Sequence, residues 1–127
     1  MKTLRAVFAS IVLLSLGAAG TAFAHDTSKP SHGGQVAMSG ETLFELVAAG
    51  AATTLYIKQD DEPVDSATMT AKLTYTAAGK KQEVALTPAG GNKFEAKGAS
   101  IPKGTSVNIV LVDKTTQART FATITTQ

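Results

Sequence analysis

The chain has 127 residues, a formal net charge of +2 at neutral pH, and no cysteine or tryptophan. This length suits one domain with a modest core. The absence of cysteine excludes disulfides and thiolate metal sites, so any metal site must use nitrogen, oxygen or thioether ligands.

Residues 1–24 have the three parts of a secretory signal peptide. Lys2 and Arg5 form a basic start, residues 6–19 are mostly apolar, and residues 22–24 (Ala-Phe-Ala) form a small-x-small cleavage site. The apolar run is shorter than the ~20 residues that a membrane-spanning helix needs. We therefore predict cleavage after Ala24, export to the periplasm, and no membrane insertion of the mature chain. Loss of Lys2 and Arg5 brings the net charge from +2 to zero, which argues against a nucleic-acid partner.

Residues 25–34, HDTSKPSHGG, are polar and contain a proline and two adjacent glycines. A segment of this composition buries little apolar surface. We therefore predict a flexible arm, which we call the histidine arm because it holds both histidines of the chain, His25 and His32.

From residue 35 onward, apolar residues recur with a period of two, which is typical of antiparallel strands with one buried face. Residues 107–112 are apolar at nearly every position, which predicts a central strand covered on both faces. Gly, Pro, Asn and Asp separate the runs as turn residues. The sequence thus predicts an all-β, immunoglobulin-like antiparallel sandwich of about seven or eight strands over residues 35–127. The predicted core consists of Phe44, Leu46, Leu55, Ile57, Leu73, Val84, Leu86, Phe94, Ile109 and Leu111.

The histidine arm contains the candidate metal ligands. After cleavage, His25 offers its free amine and ring Nδ1 as a chelating pair, and His32 supplies a third nitrogen. Asp26, or a water, completes a tetragonal nitrogen and oxygen set that suits Cu(II) best. The thioether of Met38 is a further candidate, for Cu(I). The residues alone leave two alternatives open: the histidines are simply solvated, and Met38 fills the core.

Several short stretches carry a resemblance to a known group. They are His25, residues 29–34 (KPSHGG), 44–47 (FELV), 54–57 (TLYI), 62–65 (EPVD) and 83–93 (EVALTPAGGNK). In these stretches the chain resembles small periplasmic His-Gly-Gly proteins found with copper and heavy-metal efflux systems. The turn at residues 61–64 departs from the group because it lacks the usual glycine. The resemblance implies copper handling and a periplasmic partner from such an efflux system.

Other chemistry finds little support in the sequence. The acidic residues 60–62 with Asp65 lack the spacing of an EF-hand loop, and the glycine pairs do not match a phosphate-binding loop. A catalytic triad would need the histidine arm to dock beside a serine. Copper oxygenases that use an N-terminal histidine resemble the chain only at His25. We therefore expect a binding protein and no enzyme: a copper-binding module or, alternatively, a structural or protein-interaction sandwich without a metal.

Overall fold

The alternation of apolar and polar residues produces strands along most of the described chain, residues 29–127 of the computed structural model. A short 3₁₀ helix, Ser66–Thr68, precedes the fifth strand. The strands are β1 (Gln35–Ser39), β2 (Thr42–Ala49), β3 (Ala52–Gln59), β4 (Glu62–Pro63), β5 (Met69–Ala77), β6 (Lys80–Pro88), β7 (Lys93–Lys97), β8 (Ser106–Asp113) and β9 (Arg119–Thr125). Within residues 29–127, no helix is long and apolar enough to cross a membrane.

The strands pair in the order β1-β2-β3-β7-β6-β5-β8-β9, and β4 pairs with β3. All pairings are antiparallel. One layer consists of β1, β2, β3 and β7, and the other consists of β6, β5, β8 and β9. This order matches that of an immunoglobulin domain. The neighbours β3 and β7 correspond to strands B and E, and the row β5-β8-β9 corresponds to strands C, F and G. The predicted immunoglobulin-like sandwich is confirmed, with nine strands where about seven or eight were expected.

The two layers are joined in different ways along their two sides. On one side, β6 pairs with β7 only at Thr87–Glu95 and Pro88–Phe94. On the other side, β1 and β9 lie next to each other without a hydrogen-bonded ladder. The sandwich is therefore nearly closed, like a barrel, but each side retains a seam.

The core lies between the layers and contains the predicted residues, with one exception. Nine of the ten predicted side chains are buried, whereas Val84 is half-buried and packs against the edge of the core. The prediction that β8 is covered on both faces is wrong. Ile109 is fully buried, but Val110 and Val112 are only half-buried, because they lie on the outer face of their layer beside the exposed Phe121 of β9.

Candidate functional site

The candidate site is built around an acidic side chain on β2. Alternation along β2 directs Phe44 and Leu46 into the core and places Glu45 on the outer face of its layer, where it pairs across the strands with Tyr56 of β3. A glutamate at such a position is normally solvated, yet Glu45 is only 1% exposed. A buried carboxylate is costly unless hydrogen bonds compensate for the lost water. Its partners therefore determine what this surface can do.

Within residues 29–127, the hydrogen bonds to the Glu45 carboxylate come from the end of the histidine arm. Its Oε1 accepts hydrogen bonds from the backbone N–H of His32 at 2.7 Å and of Gly34 at 3.1 Å. Its Oε2 accepts from the backbone N–H of Ser31 at 3.1 Å and lies 2.9 Å from the His32 ring Nδ1. One carboxylate thus binds four N–H groups, and it attaches residues 31–34 to the sheet.

The ring of His32 is held from a second direction by an aromatic side chain. It stacks on Tyr56 with 3.5 Å between ring centroids and an angle of 1° between the planes. The hydroxyl of Ser31, next to it, accepts a hydrogen bond from the Lys58 amine at 3.2 Å. The ring plane is therefore fixed by the tyrosine and its rotation within that plane by the carboxylate, while 40% of the side chain remains exposed.

The two glycines after His32 allow this docking. Gly33 has a φ of +73°, a left-handed conformation that glycine adopts without a steric penalty. At Gly34, a Cβ atom would lie 2.5 Å from the carbonyl oxygen of Leu46 and 2.9 Å from Val47 Cγ2. The His-Gly-Gly sequence thus turns the chain and then lets it approach β2 closely enough for the amides to reach Glu45.

The charge state of Glu45 determines which ring nitrogen of His32 carries the proton and which carries the lone pair. Burial alone would raise the pKa of the Glu45 carboxyl, but the hydrogen bonds from the His32 ring and from the three backbone N–H groups outweigh it, so this pKa lies below its ordinary value. An ionised carboxylate only accepts hydrogen bonds, so Nδ1 of His32 carries the proton. In the neutral ring the lone pair is then on Nε2, for which residues 29–127 provide no hydrogen-bond donor or acceptor.

Two of the predicted metal ligands, His32 and Met38, lie within the described residues. His32 lies on Glu45 and Tyr56, whereas Met38 on β1 is 43% exposed and lies beside Gly40, Glu41, Leu43 and the turn at residues 60–61. Met38 is therefore not core filler. His25, Asp26 and the predicted signal peptide lie outside the described residues. Within residues 29–127, no three His, Asp or Glu side chains form a group that could hold a metal ion.

Sequence reasoning missed Glu45 and Tyr56 as parts of this site. In residues 42–47 the glutamate fits the alternation as an ordinary outward-facing residue. The available signal was the combination of one acid inside an apolar strand with two adjacent glycines just before the first strand. Such a glycine pair indicates a close backbone approach, although it does not show which strand is approached.

Comparison with known proteins gives no match to a family model, to a curated protein or to a solved structure.

Proposed function

We propose that this is a periplasmic, non-catalytic protein that binds copper through the histidine arm and buffers it or delivers it to an efflux system. The observation that carries the proposal is the hydrogen bond between the buried Glu45 and Nδ1 of His32. It leaves Nε2 as the nitrogen through which the ring can bind a metal.

This arrangement resembles the support that metal-binding histidines usually have. A histidine ligand commonly donates its second ring N–H to a carboxylate, which fixes the tautomer and the orientation of the ring. Glu45 is placed to do this, and the stacked Tyr56 reduces the rotational freedom that metal binding would otherwise have to remove. His32 is thus prepared as a ligand before any ion arrives.

A single imidazole does not make a copper site, so further ligands are required. In our proposal they are the amine and ring nitrogen of His25 and the carboxylate of Asp26, with Met38 as a thioether ligand for Cu(I). The chain between His25 and His32 is long enough for both to reach one ion, because an extended chain spans about 3.3–3.6 Å per residue. The resemblance of the KPSHGG and FELV stretches to small periplasmic His-Gly-Gly proteins found with copper and heavy-metal efflux systems supports the delivery role.

Calorimetric titration with Cu(II), in competition with a chelator of known affinity, tests the proposal. We expect wild type to bind one ion, His32→Ala to bind it more weakly, and the double variant His25→Ala/His32→Ala to lose specific binding. Adding one residue before His25 should also weaken binding, because an amide then replaces the amine. Affinity should fall as the pH is lowered through about 6 to 5, since protons compete for imidazole and amine nitrogens.

The result that would contradict the proposal is equal copper binding by wild type and the double variant. The matched control is Gln35→Ala, at the start of β1 and directly after the arm, which should bind copper as wild type does. Circular dichroism of each variant shows whether the sandwich is intact. In another outcome, the N-terminally extended protein binds copper as tightly as wild type while the histidine variants bind it more weakly. The chelating role of the His25 amine would then be wrong, and the role of His32 would stand.

A further inference from the structure

Most of one edge of β6 is unpaired within residues 29–127. On one edge, residues 80–86 of β6 pair with β5. On the other edge, β6 pairs with β7 only through Thr87 and Pro88. Beyond that point β6 and β7 diverge around an open groove of about 510 Å³ whose lining includes Val84, Ala85 and Lys97. Within residues 29–127, no strand pairs with the outer edge of residues 80–86.

An unpaired edge presents backbone N–H and C=O groups that can pair with another strand. Here the four residues at the start of β6, Lys80 to Glu83, are all exposed. Lysines on an edge normally protect it from pairing, for example where a second strand would place a like charge opposite them. Protection of this kind fails if the incoming strand places an acid opposite the lysine.

A second copy of β6 provides such an acid. When two antiparallel copies are centred on Gln82, Lys81 of each lies opposite Glu83 of the other, and Lys80 lies opposite Val84. Lys81 and Glu83 are on the same face of β6, because they pair with Thr76 and Thr74 of β5. The two-fold axis therefore converts the sequence KKQE into two opposite-charge pairs.

The neighbouring strand extends this complementarity. The Lys72 amine already donates a hydrogen bond to Glu83 Oε1 at 2.6 Å, on the exposed face of the layer. In the paired arrangement, each Glu83 would lie between Lys72 of its own chain and Lys81 of the second copy. Positive and negative side chains then alternate across the junction, and no like charges stand directly opposite each other.

From this geometry we infer that the protein forms a two-fold symmetric dimer in which the β6 edges of two copies pair antiparallel about Gln82. The layer β6-β5-β8-β9 then continues from one copy into the next. A second copy is preferred over an unrelated peptide because the edge complements its own charges. The dimer does not involve the histidine arm and is independent of copper.

Sedimentation velocity of the protein purified from the full coding sequence tests the charge pairing. We expect wild type to dimerise. Lys81→Glu and Glu83→Lys should each raise the dimer dissociation constant at least about tenfold, because symmetry turns two attractive pairs into two repulsive ones. The double variant Lys81→Glu/Glu83→Lys should restore dimerisation. Lys114→Glu, which makes the same charge change at the other end of the layer, is the control and should dimerise as wild type does.

Cysteine crosslinking tests the register independently of these charge changes. The chain has no cysteine, so Gln82→Cys would place one thiol on each side of the two-fold axis. Directly opposed residues in antiparallel strands lie within the Cα separation that a disulfide requires. We expect Gln82→Cys to form covalent dimers under mild oxidation much faster than Lys114→Cys. A monomeric wild type at about 0.5 mM, failure of the charge swap to restore the dimer, or equal crosslinking of the two cysteine variants would overturn the inference.

Discussion

Replacing Glu45 by glutamine is the sharpest perturbation of the candidate site, since it keeps the shape of the side chain and removes its charge. In wild type each carboxylate oxygen accepts two hydrogen bonds from residues 31–34. An amide has one oxygen and one NH₂ group. If the amide oxygen takes the place of Oε1, the NH₂ group takes the place of Oε2. This hydrogen-bond donor then faces two other donors, the Ser31 N–H and the Nδ1–H of His32.

The His32 ring can resolve part of this conflict by moving its proton. Nδ1 then accepts from the new amide, and Nε2 carries the hydrogen in place of the lone pair. The Ser31 N–H still lacks an acceptor, and an unsatisfied donor costs about 1–3 kcal/mol. The free energy of unfolding should fall by that amount, with a drop in Tm of about 4–8 °C per kcal/mol for a domain of this size. Copper affinity should fall because the ligating nitrogen is blocked.

Acid unfolding gives the same substitution a second readout. Because hydrogen bonds hold the pKa of Glu45 below its ordinary value, the folded protein binds this proton more weakly than the unfolded chain does. Its contribution to stability is therefore complete above the unfolded pKa, near ~4.3, and is lost as the pH falls from there through the lower folded pKa. We expect the stability difference between wild type and Glu45→Gln to narrow in that window.

Thermal unfolding at several pH values and ¹⁵N NMR of the His32 ring measure these effects. NMR should show hydrogen on Nδ1 in the neutral wild-type ring and on Nε2 in the variant. The control is Glu95→Gln, which removes a half-buried carboxylate that forms a 2.7 Å ion pair with Lys93 and should change Tm little. If Glu45→Gln behaves like this control, with the ring proton still on Nδ1, then the assigned role of Glu45 is incorrect.

Two further substitutions test the docking and the core. Gly34→Ala should lower the free energy of unfolding by about 1–3 kcal/mol, because its Cβ would clash with the β2 backbone. Chemical denaturation measures this loss, and an unchanged free energy of unfolding would contradict the close approach. Thr53→Val should lower the free energy of unfolding by about 1–3 kcal/mol, because the fully buried Thr53 hydroxyl donates a hydrogen bond to the Ala99 carbonyl at 2.8 Å. The same change at the exposed Thr70 is the control and should be nearly neutral in chemical denaturation. If Thr53→Val is neutral as well, this hydrogen bond does not contribute to stability.

The period-two pattern was sufficient to predict which faces of the strands are buried. Along β5, the side chains of Met69, Ala71, Leu73 and Tyr75 all point inward and are buried, as the alternation predicts. The same reasoning failed for β8, because apolar residues at consecutive positions do not show whether a second layer covers the outer face. That depends on where other elements pack, and Val110 lies on an outer face that is only partly covered.

The site was predicted only in part for a similar reason. His32 could be identified as a candidate ligand from its chemistry and its place beside two glycines. Glu45 could not, because its burial depends on contacts with residues 11–14 positions earlier in the chain. Strand periodicity carries no information about that docking. A residue of this kind becomes visible only when the chain before β1 is placed against β2.

The seam between β1 and β9 has a consequence for how the protein folds. The first and last strands of the described chain lie side by side, so this contact joins residues almost as far apart in sequence as the domain allows. Closing so large a loop costs entropy before any contact stabilises it. We therefore expect folding on the millisecond-to-second scale typical of sandwiches dominated by non-local pairs. The hairpins β2-β3 and β5-β6, which connect near neighbours in sequence, would form before the seam closes.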